Sequence, residues 1–249
     1  MRGDGPAPSH EDPVTTRGVH LPRPEIIAHR GASREQPENT LAAFRRALQL
    51  GADGIELDVH RSSDSTLFVH HDPVPAQAPS AELTGRTIST LTAEELRAFR
   101  VRGEPIPTLA EVLDAVGAGL TVYCELKGAG TAEPSVQLLH DSRWRAAVHS
   151  FDHRQVAEAR RIAPAVPRGV LETSYHIDPT ASMASVDARD LWQYWELIDR
   201  TLVDAVHGRG GRLVAWTAND ADLMRRLADI GVDGLCTDDV ALARRTLGR

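Results

Sequence analysis

Four charged residues stand where strand packing would favour apolar ones. In Gly54-Ile-Glu-Leu-Asp-Val59, Glu56 and Asp58 alternate with Leu57 and Val59, so the two acids share one face of a β-strand. The same alternation in Tyr123-Cys-Glu-Leu-Lys127 puts Glu125 and Lys127 together, with Cys124 and Leu126 on the opposite, helix-packed face. Two readings fit these residues. They form structural ion pairs at a rim, or three carboxylates on neighbouring strands hold a hard cation such as Mg²⁺ or Ca²⁺, which prefers oxygen ligands. Zinc fits less well, because no His-x-His or His-Glu-x-x-His pair accompanies the acids. His29 and Arg30 close another apolar run, and His70, His71 and Asp72 follow Thr66 to Val69. Two histidines at separate strand ends suit a reaction in which one group takes a proton and another gives one. Arg30 can fork onto a phosphate oxygen.

Such residues must be positioned by a repeating scaffold. From residue 25 short β-rich runs alternate with helical patterns, which indicates βα units and a mainly parallel sheet. Strands are expected at Glu25 to His29, Gly54 to Val59, Leu120 to Leu126, Ala146 to Phe151, Arg168 to Leu171, Leu191 to Leu197, Leu213 to Trp216 and Gly234 to Thr237. Asn39 or Thr40 can cap a helix with Leu41, Phe44 and Leu48 on one face, and Gly51 stands where it should stop. Thr92 with Glu95 and Thr108 with Glu111 have capping-box spacing. Residues 72–106 exceed a minimal βα unit and read as an insertion after the second strand. Leu50-Gly-Ala-Asp-Gly-Ile-Glu-Leu-Asp58 is echoed by Ile230-Gly-Val-Asp-Gly-Leu-Cys-Thr-Asp238, one αβ connection used twice. A TIM-type (β/α)8 barrel is the expected fold, a doubly wound open sheet the alternative.

The chain has 249 residues, the size of one such barrel, so a single domain over 25–249 is expected. A net charge of −7 argues against binding to a nucleic-acid backbone. No window approaches 18 uninterrupted apolar residues, so no stable membrane insertion is expected. Residues 1–24 are rich in Gly, Pro and charge and lack an apolar signal-peptide region; a flexible tail and a cytoplasmic location are expected. Cys124 and Cys236, the only cysteines, read as buried free thiols. An amidohydrolase would need His-x-His on its first strand, where this chain has His29-Arg30-Gly31. No Gly-x-Ser-x-Gly elbow is present either.

In order along the chain, His29-Arg30-Gly31, Pro37-Glu38-Asn39-Thr40, Glu56-Leu57-Asp58, His71-Asp72, Glu125-Leu126-Lys127, Trp216-Thr217, Gly231-Val232-Asp233-Gly234 and Thr237-Asp238 resemble the glycerophosphodiester phosphodiesterase family. The resemblance implies a TIM-type barrel, one divalent cation (Mg²⁺ or Ca²⁺, with Mn²⁺ a further option) held by Glu56, Asp58 and Glu125, and acid/base work by His29 and His71. Arg30 and Lys127 would neutralise the phosphate of a small glycerophosphodiester substrate, which is hydrolysed to glycerol 3-phosphate and an alcohol. The resemblance sets Glu38 near the active centre, although its place at a helix start equally suits a cap. No role for His70 is implied. Asp238-Asp239-Val240 departs from the family's usual ending, at a helix start expected to stand apart from the chemistry.

Trp216 can stack on glycerol or a head group, or simply pack. Trp192, Tyr194 and Trp195 likewise suit either an alcohol pocket or the core. A sphingomyelinase-D-like or lysophospholipase-D-like activity would require an exposed apolar rim, which the Pro/Ala/Ser-rich insertion does not supply. A catalytically idle barrel acting as a ligand sensor would have lost one of the polar positions, and all are filled.

Overall fold

A computed structural model describes residues 23–140 and 144–249. Eleven strands follow in chain order: β1 (Glu25–His29), β2 (Gly54–Arg61), β3 (Leu67–Val69), β4 (Arg100–Val101), β5 (Glu104–Pro105), β6 (Thr121–Leu126), β7 (Arg145–Ser150), β8 (Arg168–Glu172), β9 (Asp190–Tyr194), β10 (Arg212–Trp216) and β11 (Gly234–Thr237). Eight of them, β1, β2 and β6 to β11, pair in parallel in sequence order. β1 bonds both β2 and β11, which closes the barrel. The open-sheet alternative is thereby excluded.

The expected strands are present with ends shifted by one or two residues, except in one segment. The run Leu191 to Leu197 splits into β9 and a 3₁₀ turn at Trp195–Leu197. Along the barrel strands, outward residues such as Leu57, Val59, Cys124 and Leu126 pack under the helices in the main core. Inward residues form a smaller core of Ile27, Tyr123, Ala147, Leu171, Trp192, Val214 and Cys236. That inner layer fills the barrel, so polar groups at the carboxyl ends of the strands have a solid floor. Both cysteines are buried and unbridged, one in each layer.

Thr40 is the helix N-cap, its side chain accepting from the Ala43 amide, and Gly51 ends the helix with φ 74°. The buried stripe runs through Ala43, Phe44 and Ala47, whereas Leu48 is 39% exposed. Both expected capping boxes form, at Thr92 and Thr108. The insertion holds a short helix, Ala93–Leu96, and additional strands lie just before it and within it. β3 folds back antiparallel onto the long β2, and β4 with β5 makes a separate two-stranded ribbon. Phe68, Ile88, Leu91, Leu96, Phe99 and Ile106 give this region its own apolar cluster, which anchors the His70-His71-Asp72 segment beside the barrel mouth. The expected tail falls almost wholly outside the described residues. Of it only Arg23 and Pro24 are described, with the Arg23 guanidinium donating to the Gly248 carbonyl at 3.1 Å.

Candidate active site

The strand ends converge on one cavity of about 390 Å³, counted to its open mouth. Its lining includes His29, Arg30, Glu56, His71, Glu125 and Lys127. The turn after β1 shapes its edge. Arg30 has φ 56° and Gly31 φ 83°, a left-handed pair that turns the chain sharply. A Cβ on Gly31 would stand 2.7 Å from that of Ala43, so the helix Leu41–Leu50 can approach only a glycine. The turn aims the Arg30 amide at Glu56 Oε2 (3.1 Å) and its guanidinium at Glu38 Oε1 (2.9 Å) and Asp58 Oδ2 (3.3 Å).

The three acids are unequally matched with cations. Asp58 accepts from the Asn39 side chain at 2.8 Å and faces Arg30 and the Lys127 ammonium, the latter at 3.6 Å. Burial works against its ionisation, yet Arg30, Lys127 and Asn39 hold it below the usual carboxylate range. Glu125 has Lys127 at 3.2 Å, but burial first, and then the Asp58 charge, push its carboxyl up to about 7. Glu56 is pushed well above the usual range, by burial and then by repulsion from Asp58 and Glu125. A buried carboxylate short of counter-charge takes either a proton or a cation. Oxygens of Glu56 and Glu125 and a ring nitrogen of His149 lie within 4.8 Å of one another, a spacing that fits donors around one ion. The residues present therefore suit a divalent cation.

Both catalytic candidates are held through Nδ1. His29 Nδ1 lies 2.7 Å from Asp238 Oδ1, and His71 Nδ1 lies 2.8 Å from Asp72 Oδ1. With the Nδ1 proton donated to each carboxylate, Nε2 is the nitrogen left for proton transfer. Asp238 is itself fixed by the Ser33 hydroxyl (3.0 Å) and the Asn219 amide (2.6 Å). Burial disfavours its charge, but His29, Asn219 and Ser33 keep its carboxyl below the usual range. The stretch does begin a helix, with Asp239 as its N-cap, but Asp238 does not stand apart from the candidate site: it orients His29. The Asp238 side chain projects from the end of β11, on the neighbour of β1. A contact between residues 29 and 238 exists only once the barrel closes.

Sequence reasoning also left Asn39 as a possible cap, whereas it holds Asp58. Glu38 is no cap but the partner of Arg30. His60 was not singled out; its Nε2 lies 3.0 Å from the His71 carbonyl and steadies that segment. His70 lies outside the cavity lining, with Nδ1 against the Asp72 carbonyl. Trp216 lines the cavity and meets Phe151 and Tyr194 edge to face, with centroids 5.5 and 5.8 Å away. Trp192 is a buried part of the floor, while Trp195 packs against the outer core.

The sequence profile of the glycerophosphoryl diester phosphodiesterase family matches residues 29–242. The chain belongs to that family. It is a phosphoric diester hydrolase of the glycerophosphodiester phosphodiesterase type. It is 33% identical over 230 residues to the glycerophosphodiester phosphodiesterase of Caldanaerobacter subterraneus subsp. tengcongensis, spanning 86% of this chain and 93% of that one. Among solved structures it is similar to an Oleispira antarctica phosphodiesterase in complex with the product sn-glycerol-3-phosphate (TM-score 0.80, 25% identity, 91% of this chain and 98% of that one). It is also similar to the Thermotoga maritima glycerophosphodiester phosphodiesterase (TM-score 0.78, 26% identity, 91% and 99%).

Proposed function

We propose that this protein hydrolyses small glycerophosphodiesters to glycerol 3-phosphate and an alcohol, with a divalent cation held by Glu56, Asp58 and Glu125. The observation that carries this reading is the pair of Nδ1-anchored histidines, His29 and His71, on one cavity whose buried acids lack sufficient counter-charge. The bound cation supplies Lewis-acid stabilisation of phosphate charge and a more acidic nucleophile. Arg30 and Lys127 add positive charge beside the same oxygens. Nε2 of one histidine takes the proton of the nucleophile and Nε2 of the other protonates the leaving alcohol; the nucleophile is water, or the substrate's own 2-hydroxyl, in which case a second step adds water to open the resulting cyclic phosphate. Trp216, Phe151 and Tyr194 form an aromatic wall against which the glycerol or alcohol carbon skeleton can rest. The similar Oleispira antarctica structure, with its bound sn-glycerol-3-phosphate, supports the product assignment.

The test is a screen of glycerophosphodiesters with Mg²⁺, Ca²⁺ and Mn²⁺, reading release of glycerol 3-phosphate. Activity should vanish in EDTA and return with a divalent cation; full activity in metal-free buffer would sink the reading. One observation favours a second substrate class. Phe151, Tyr175 and Ile177, three of the four exposed large apolar residues among those described, follow β7 and β8 on the mouth side. Such a rim suits the acyl chain of a lysophospholipid. Co-sedimentation with liposomes and turnover of lysophosphatidylcholine would support it, and absence of both would remove it.

A further inference from the structure

His149 is not among the three ligands named in the reading above, and nothing in the sequence motifs singles it out. It lies on the inward face of β7, wholly buried, its ring stacked on Trp192 with centroids 4.3 Å apart and planes 11° from parallel. Gly169 on the adjoining strand makes room for this stack, since a Cβ there would meet the Trp192 ring at 3.0 Å. The plane of the imidazole is thus fixed by packing. Neither Nδ1 nor Nε2 has a hydrogen-bond partner among the described residues. A buried polar group left in that state is destabilising, and an apolar side chain of similar shape would avoid the cost.

Two observations indicate what the ring is for. Nε2 lies 4.0 Å from Glu56 Oε1, too far for a hydrogen bond but a normal separation for two donors on one ion. With both ring nitrogens buried and unpartnered, the unprotonated nitrogen also keeps its lone pair free to offer. Donor atoms of Glu56, Glu125 and His149 lie within 4.8 Å of one another, all three residues buried.

We propose that His149 is a nitrogen ligand of the divalent cation and biases the site toward a first-row metal such as Mn²⁺ over Ca²⁺ and Mg²⁺. The inference rests on the metal-dependent reading above. An all-oxygen set suits Ca²⁺ and Mg²⁺, whereas an imidazole donor strengthens binding of transition-metal ions with little gain for the hard alkaline-earth ions. His149 then acts as the residue that selects the cation.

The test uses the full chain stripped of metal. Calorimetric titration with Mn²⁺, Ca²⁺ and Mg²⁺ should show Mn²⁺ binding at least about tenfold more tightly than Ca²⁺. In His149→Gln that advantage should shrink to within about threefold. Electron spin echo envelope modulation of the bound Mn²⁺ should show ¹⁴N coupling in the parent and none in His149→Gln or His149→Asn. Mn²⁺ bound to the parent without ¹⁴N coupling overturns the proposal, and that measurement needs no variant to fold. Coupling that persists in the variants assigns the nitrogen to another histidine and overturns it equally. A chain that binds no divalent cation at all defeats the metal-dependent reading itself, an outcome distinct from the other two.

Discussion

Lys127 is the single lysine in a chain whose 28 Lys and Arg residues are otherwise arginine. Its ammonium is wedged between Glu125 at 3.2 Å and Asp58 at 3.6 Å. A planar guanidinium is wider and would displace one of these acids or crowd the phosphate position. Lys127→Arg should therefore keep fold and net charge but lower kcat/KM at least about tenfold, a loss of roughly 1.4 kcal/mol of transition-state stabilisation. An arginine variant as active as the parent would reduce Lys127 to a rim charge. Replacing His29 or His71 with Ala should slow turnover by roughly 10² to 10⁴. Asp238 acts through His29, so Asp238→Asn should lower kcat by about 10- to 100-fold with little change in KM, because ring orientation is lost and ground-state binding is not. A rise in KM alone would show that Asp238 serves binding.

The turn after β1 carries more of the site than its length suggests. Arg30 and Gly31 both have positive φ, and the close approach of Ala43 leaves no room for a Cβ at position 31. Gly31→Ala should destabilise the fold by about 1–3 kcal/mol through strain and the displaced helix. It should also disturb the Arg30 contacts to Glu56, Glu38 and Asp58. Thermal unfolding reads the first effect and steady-state kinetics the second. A variant with the parent's Tm and kcat would mean that the turn relaxes freely. The insertion obeys a similar logic: its small apolar cluster presents His71 and Asp72, and His60 holds the His71 backbone from the barrel side.

Across the whole molecule, chemistry and stability are set at opposite ends of the barrel. At the amino-terminal end the Glu25 carboxylate accepts from the Tyr123 hydroxyl (2.6 Å) and the Arg212 guanidinium (2.5 Å), and Arg189 pairs with Asp190. Arg249 reaches Asp53 in the same region. Charges there are matched. At the carboxyl-terminal end three acids, Glu56, Asp58 and Glu125, face two permanent cations among the described residues, Arg30 and Lys127, so the native state carries repulsion that a bound cation would relieve. A cation at about 100 times its Kd should stabilise the protein by roughly 2.7 kcal/mol, raising Tm by several degrees. Differential scanning calorimetry of EDTA-treated and reloaded protein checks this, and an unchanged Tm would argue against a site at these acids. No helix among the described residues is long and apolar enough to cross a membrane.

The sequence by itself determined the barrel and most of the polar residues at its mouth, because strand alternation and helix caps are local rules. Glu56 with Asp58 and Glu125 with Lys127 share faces by a period of two, and Thr92, Thr108 and Gly51 mark helix ends by chemistry within a few residues. What depended on contacts between distant segments was decided only by the closed structure. Asp238 meets His29 across 209 positions, because β11 pairs with β1. Asn39 had two local uses, and only the seating of its helix against β2 chose Asp58 over a cap. His149 left no local signal at all: one histidine in an apolar strand reads as packing, and its nearness to Glu56 and Glu125 follows from the curvature that brings three strands round a common axis.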